Sequence, residues 1–250
     1  MKTMCSISII AVSVALLALS APVQASKMDS RIESSAKKSH VFKTYLKDDN
    51  VKVDSKDGVV TLTGNVAKNS HKSLAAETVS DLPGVKSVDN KLEVKDAPAE
   101  NSDAWLGDKV KITLLFHRSV SASKTEVDVK DGIATLRGNA VSQAQKELTT
   151  EYAKDVDGIK DVKNEMTISG DSKKMHRTTG EKMDDASITA QVKMALLFHR
   201  STSVLKTTVT TKNGVVVLGG KARNTAEKDL VTKLVEDIDG VKSVKNQMTD

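Results

Sequence analysis

The sequence holds one cysteine and three prolines, and its 250 residues include only three phenylalanines, two tyrosines and one tryptophan. Each scarcity removes a class of explanation. A lone Cys5 cannot close an intrachain disulfide, so packing alone must hold whatever folds. With aromatics at 2%, any core is aliphatic and small, which favours several little domains over one large one. The same scarcity removes the stacking platforms used on single-stranded nucleic acid, and no nucleic-acid partner is expected. GxSxG, Walker and GxGxxG loops are missing, and the histidines lack metal-ligand spacing. The chain therefore reads as not an enzyme, with no cofactor and no metal. Its repeated Asp-Gly pairs lack the alternating ligands and terminal Glu of a calcium loop. The formal charge is +5 with the signs interleaved, which suits a mixed solvated surface and argues only weakly for an anionic partner.

One long apolar run is present, ISIIAVSVALLAL over residues 7–19. Its length of about 20 Å falls short of the roughly 30 Å hydrocarbon core of a bilayer. With Lys2 before it and Val23-Gln24-Ala25 after it, the run reads as a signal peptide over residues 1–25, cleaved after Ala25. The exported chain would then carry no thiol and no lipid.

Beyond residue 30 the chain repeats itself. A shift of 74 superposes KDGVVTLTGN (56–65) on KDGIATLRGN (130–139), and a further 82 reaches KNGVVVLGGK (212–221). Between the second and third copies, 32 of 66 ungapped positions are identical. The organisation is three domains, 30–95, 103–168 and 185–250, joined by a linker at 96–102 and a basic linker at 169–184.

The third copy shows the order of elements. Ile188, Val192, Ala195 and His199 lie on one stripe of a first helix. Two Val- and Thr-rich runs follow, joined at Asn213-Gly214, a hairpin signal because both residues tolerate positive φ. Asn224 with Glu227, like Ser142 with Gln145, has capping-box spacing. Ala226, Leu230, Leu234 and Ile238 give a second helical stripe, and a strand follows Gly240. The fold class is α+β, with three tandem α-β-β-α-β units, each two helices on a three-stranded sheet. The crossover makes the last strand parallel to the second.

The pattern DGxxxLxG, a helix ended by Gly, then GVxxVxN, resembles the BON domain. Its residues are Asp57-Gly58, Leu62, Gly64, Gly84-Val85, Val88 and Asn90, with equivalents from Asp131-Gly132 to Asn164 and from Asn213-Gly214 to Asn246. Exported BON proteins include osmotically inducible periplasmic ones. The resemblance implies a non-catalytic periplasmic protein of osmotic or envelope stress, which binds phospholipid surfaces or assists other envelope proteins.

The hexapeptide LLFHRS occurs at 114 and again at 196. Phe42, Phe116 and Phe198 superpose under the repeat shifts and are expected to anchor the cores of their own units. His117 and His199 fall on the buried stripe, as partly buried, hydrogen-bonded histidines at a helix end, and Arg118 and Arg200 complement the C-terminus of that same first helix. Projected at about 100° per residue, Ile112 and Leu115 fall away from their unit's stripe, as do Met194 and Leu197, and partial exposure is expected of all four. An apolar edge followed by arginine suits shallow insertion into an anionic phospholipid surface, and equally a contact with another domain or protein. Lys173, Lys174, Arg177 and Lys182 in the basic linker would add salt-sensitive attraction to such a surface.

Overall fold

The computed structural model describes residues 21–95, 97–169, 183–202 and 207–249, and the expected signal run and the basic linker cations lie outside them. Three α/β units follow one another. Unit 1 has helices α1 (Ala21–Lys38), α2 (His40–Thr44) and α3 (Asn69–Ser80), with strands β1 (Asn50–Lys56), β2 (Val59–Val66) and β3 (Ser87–Val94). Unit 2 has α4 (Asp103–Phe116), β4 (Thr125–Lys130), β5 (Ile133–Ala140), α5 (Gln143–Lys154), β6 (Asp161–Asn164) and β7 (Thr167–Ile168). Unit 3 has α6 (Asp185–Phe198), β8 (Thr207–Lys212), β9 (Val215–Gly220), α7 (Thr225–Glu236) and β10 (Ser243–Asn246).

In every unit the second strand is central, antiparallel to the first and parallel to the last, as the crossover rule requires. The strands alternate, so Val60 and Leu62 in unit 1, Ala134 and Leu136 in unit 2, and Val216 and Leu218 in unit 3 face the helices. Unit 1 departs from the single first helix of its copies. Its helix breaks at Ser39, whose Oγ accepts from the Phe42 N–H and starts α2.

The Asp-Gly or Asn-Gly pair and the final asparagine of the family-like motif prove to be connectors, while its leucine lies in the core. Each hairpin turns through two positive φ values, as at Asp131 (55°) and Gly132 (79°). A carboxylate on the first helix clamps that turn. Asp103 accepts from the Asp131 and Gly132 N–H groups at 2.7 and 2.9 Å, and Asp29 and Asp185 do the same in their units. The motif asparagine ties the last strand to the second helix. Asn164 Nδ2 donates to Lys146 O at 2.9 Å while its Oδ1 accepts from the Met166 N–H, and Asn90 and Asn246 repeat the arrangement.

Hydrogen bonds from Gly132 and then Asp131 hold the Asp103 carboxyl below its usual range, and those from Gly58 and Ser55 do so for Asp29. Because the folded value is the lower one, this stabilisation is complete above the unfolded carboxylate pKa of about 3.9 and is lost as pH falls through the folded value. An Asp29→Asn/Asp103→Asn chain should therefore show a lower urea midpoint at neutral pH but a shallower decline below about pH 4. An acid profile parallel to wild type would refute the clamp.

Candidate functional site

The ends of α4 and α6 carry the repeated hexapeptide, and each leads out of its own unit. After Phe116 the backbone turns extended at His117 (ψ 123°), and after Phe198 it does so at His199 (ψ 125°). Each then runs against the last turn of the other unit's second helix. The Asp239 backbone N–H donates to Phe116 O at 2.8 Å, and Arg118 N donates to Asp237 O at 3.0 Å. Reciprocally, the Asp157 backbone N–H donates to Phe198 O at 2.7 Å and Arg200 N to Asp155 O at 2.9 Å.

The arginines complete the exchange. Arg118 Nη2 donates to the carbonyls of Glu236, Ile238 and Val241, the latter two at 2.9 Å. Arg200 Nη2 donates to those of Lys154 and Val156, and at 2.6 Å to that of Ile159. Each guanidinium gathers carbonyls at and just beyond the end of a helix, where its negative dipole is concentrated. This corrects the expectation that each arginine complements the C-terminus of its own first helix: the helix end it meets is that of the other unit's second helix.

The histidines are buried within this clasp. His117 stacks on Tyr152 with ring centroids 3.8 Å apart, and its Nδ1 lies 3.3 Å from the Asp237 carboxylate, an ion-pair distance without hydrogen-bond geometry. Asp237 also accepts from Tyr152 Oη at 2.6 Å and from Ser119 Oγ at 2.5 Å. Burial alone would raise its carboxyl, but contacts with His117, Ser119 and Tyr152 outweigh that and hold it below its usual range. On the other side His199 Nδ1 accepts from the Ser201 N–H at 3.1 Å, and its Nε2 sits 3.6 Å from Asp155.

Unit 1 docks on the same pair. The His40 N–H donates to Asp184 at 2.7 Å, Lys193 grips Asp81 at 2.9 and 3.0 Å, and Tyr45 meets Phe116 edge-on with centroids 5.8 Å apart. As a result α6 is buried nearly all round, with ten of its fourteen residues enclosed.

This placement corrects two sequence expectations. Ile112 and Met194 are 3% and 1% exposed rather than lining an open edge. Ile112 does leave its own core, which is built from Leu106, Val110 and Leu114, but units 1 and 3 cover it. Phe116 is likewise fully buried outside its own unit's core, in the cluster shared by units 1 and 3, while Phe42 and Phe198 are only half-buried. Leu115 and Leu197 are exposed as expected, at 36% and 52%. Arg118 and Arg200 are committed to carbonyls, and Lys173, Lys174, Arg177 and Lys182 lie outside the described residues.

The profile of the BON domain matches three times, at residues 28–96, 102–170 and 184–249. The chain is a BON-domain protein. It is 33% identical over 143 residues to osmotically-inducible protein Y of Escherichia coli (strain K12), across 55% of this chain and 71% of that protein. It is 28% identical over 130 residues to an uncharacterized protein in the gshII 5' region of Anaplasma centrale, across 52% of this chain and 83% of that one. Among solved structures, CdsD, a structural protein of the type III secretion system of Chlamydia trachomatis, aligns over 89% of this chain and 91% of its own at 18% identity, with a TM-score of 0.23. BON domains 1, 2 and 3 thus correspond to the three units.

Sequence reasoning missed Tyr152, Asp237 and Lys109. Lys109 is buried, donates from Nζ to Asp157 O at 2.8 Å and lies 4.3 Å from the Trp105 ring centroid and 5.3 Å from that of Phe198. The one available signal was the contrast between copies, because domain 3 has Gln191 at the position of Lys109 and Leu234 at that of Tyr152.

Proposed function

We propose that this protein is a non-catalytic, exported envelope protein of the osmotic-stress response, resident in the periplasm, that adheres peripherally to anionic phospholipid surfaces. The observation carrying the lipid reading is Leu197, 52% exposed at the end of α6 beside half-buried Trp105 and Phe198. An exposed leucine with a neighbouring tryptophan suits the headgroup boundary of a bilayer. Among the described residues no helix is long and apolar enough to cross a membrane. With the arginines engaged in the clasp, the attraction to anionic headgroups falls to Lys173, Lys174, Arg177 and Lys182. The similarity to osmotically-inducible protein Y supports the stress assignment.

A second reading is a scaffolding or chaperone-like role on other envelope proteins. It is favoured by the use of Ile112, Met194 and both arginines in protein contacts rather than on an open face.

Flotation separates the two. Liposomes containing phosphatidylglycerol should carry the protein at low salt, neutral phosphatidylcholine liposomes should not, and Leu197→Asp should cut recovery by about tenfold, the penalty of placing a charge at an apolar contact. Arg200→Glu is unsuitable as a partner substitution, since it would set a carboxylate against the carbonyls of Lys154 and Ile159. Suppressed aggregation of an unfolded protein without lipid, and no flotation, would replace the first reading by the second.

A further inference from the structure

The three domains meet around a cavity of about 260 Å³ formed by the first turn of α3, the start of α4 and the end of α6. Trp105, Leu197 and Phe198 give it an apolar lining, and Asn69, Ser70 and Ser73 give it a polar one. The polar side is short of partners in two independent ways. Helices α5 and α7 begin with capping side chains, Ser142 and Asn224, but α3 begins after Lys68, whose side chain caps nothing. The first helical bond of α3 runs from Lys72 N to Lys68 O, and the N–H groups of Asn69, Ser70 and His71 have no acceptor among the described residues. Separately, Ser70 is 5% exposed and its Oγ has no hydrogen-bond partner, a costly state for a buried hydroxyl.

Donors at a helix start, with a partial positive charge of about one half, suit an anionic group. The surrounding charges set its valence. Lys68 is paired with Asp108, Lys109 is engaged by Asp157 O and the two rings, and Glu100 also lines the cavity. A dianionic phosphate would meet Asp108 and Glu100 with no free cation among the described residues that line the cavity, and would leave the aromatic side unused. We propose that this cavity binds a monoanionic carboxylate bearing one small apolar group, the carboxylate on Ser70 and the first turn of α3 and the apolar group among Trp105, Leu197 and Phe198. The free C-terminal residue of a peptide and a free acylated amino acid both have this chemistry. The site does not rest on the lipid reading.

Trp105 is the only tryptophan, so its fluorescence reports on the cavity directly. The whole chain is titrated with N-acetyl-leucine, with N-acetyl-leucinamide and with a pentapeptide ending in leucine. A saturable change is expected with the acids, with the amide weaker by about tenfold or more because it lacks the charge that strengthens these hydrogen bonds. The tighter of the two acids identifies the source. Ser70→Ala should weaken acid binding by a similar factor. Lys68→Ser should do so as well, by supplying the capping hydroxyl that competes for the same N–H groups, and a serine cap stabilises a helix, so loss of fold cannot mimic the result. Flotation of Ser70→Ala should be unchanged, which keeps this proposal and the lipid reading separately testable. No saturable change with either acid, an amide equal to its acid, or wild-type affinity in both variants would overturn it.

Discussion

Phe116→Ala is expected to lower the stability of the whole chain by about 3 to 5 kcal/mol, the usual loss for an aromatic removed from a core. The place of that loss matters more than its size. Phe116 packs on Tyr45 and in the cluster shared by domains 1 and 3, whereas Leu106, Val110, Leu114, Leu136 and Met166 form domain 2's own core. In urea titrations the intact chain should unfold at a lower midpoint, while an excised domain 2 should change far less. Phe198→Ala should cost less than Phe116→Ala, because Phe198 is half-buried beside the junction cavity. An equal loss in excised domain 2 would return Phe116 to an ordinary core role.

Removing the guanidinium caps should part domains 2 and 3. Arg118→Met keeps the apolar stem but strips the donors from the carbonyls of Glu236, Ile238 and Val241. Charge-assisted hydrogen bonds of this kind contribute about 1.5 to 3 kcal/mol, and the lower end applies to Arg200, which is more open to solvent. Because the two arginines close one interface from opposite sides, the double variant should depart from additivity. Small-angle scattering of Arg118→Met/Arg200→Met should show a larger radius of gyration while far-ultraviolet circular dichroism keeps its helical signal. Unchanged dimensions would mean that the backbone pairs and the Tyr152 and Ser119 hydrogen bonds to Asp237 hold the domains without the arginines.

The clasp also gives the hexapeptide a single explanation. Two copies of LLFHRS are two halves of one pseudo-symmetric contact, each reaching the helix end that the other unit offers. Domain 1 has Phe42-Lys43-Thr44 at the equivalent place and docks by different means, through the α2 backbone, Tyr45 and the Asp81–Lys193 pair. Retention of histidine and arginine in domains 2 and 3 but not in domain 1 follows from which pair of domains clasps.

Local pattern carried the reading of each unit. Hairpin turns at Asp57-Gly58, Asp131-Gly132 and Asn213-Gly214, capping side chains at Ser142 and Asn224, and alternating strands are all decided within a few residues, so period and turn chemistry reveal them in the sequence alone. Repetition then supplied the domain count, because each copy of the pattern carries the two helices and three strands of a complete two-layer unit. Helical projection also placed Ile112 and Leu115 correctly on the side of α4 turned away from its own domain. It could not say that Ile112 is covered and Leu115 is not, nor that Arg118 reaches Ile238, 120 positions away in the chain. Burial of a face outside its own unit depends on which neighbour settles there, and that is decided by side chains on other domains whose spacing in sequence carries no period. Only the tertiary structure, by bringing α4, α6 and the ends of α5 and α7 together, decided that LLFHRS is a contact between domains.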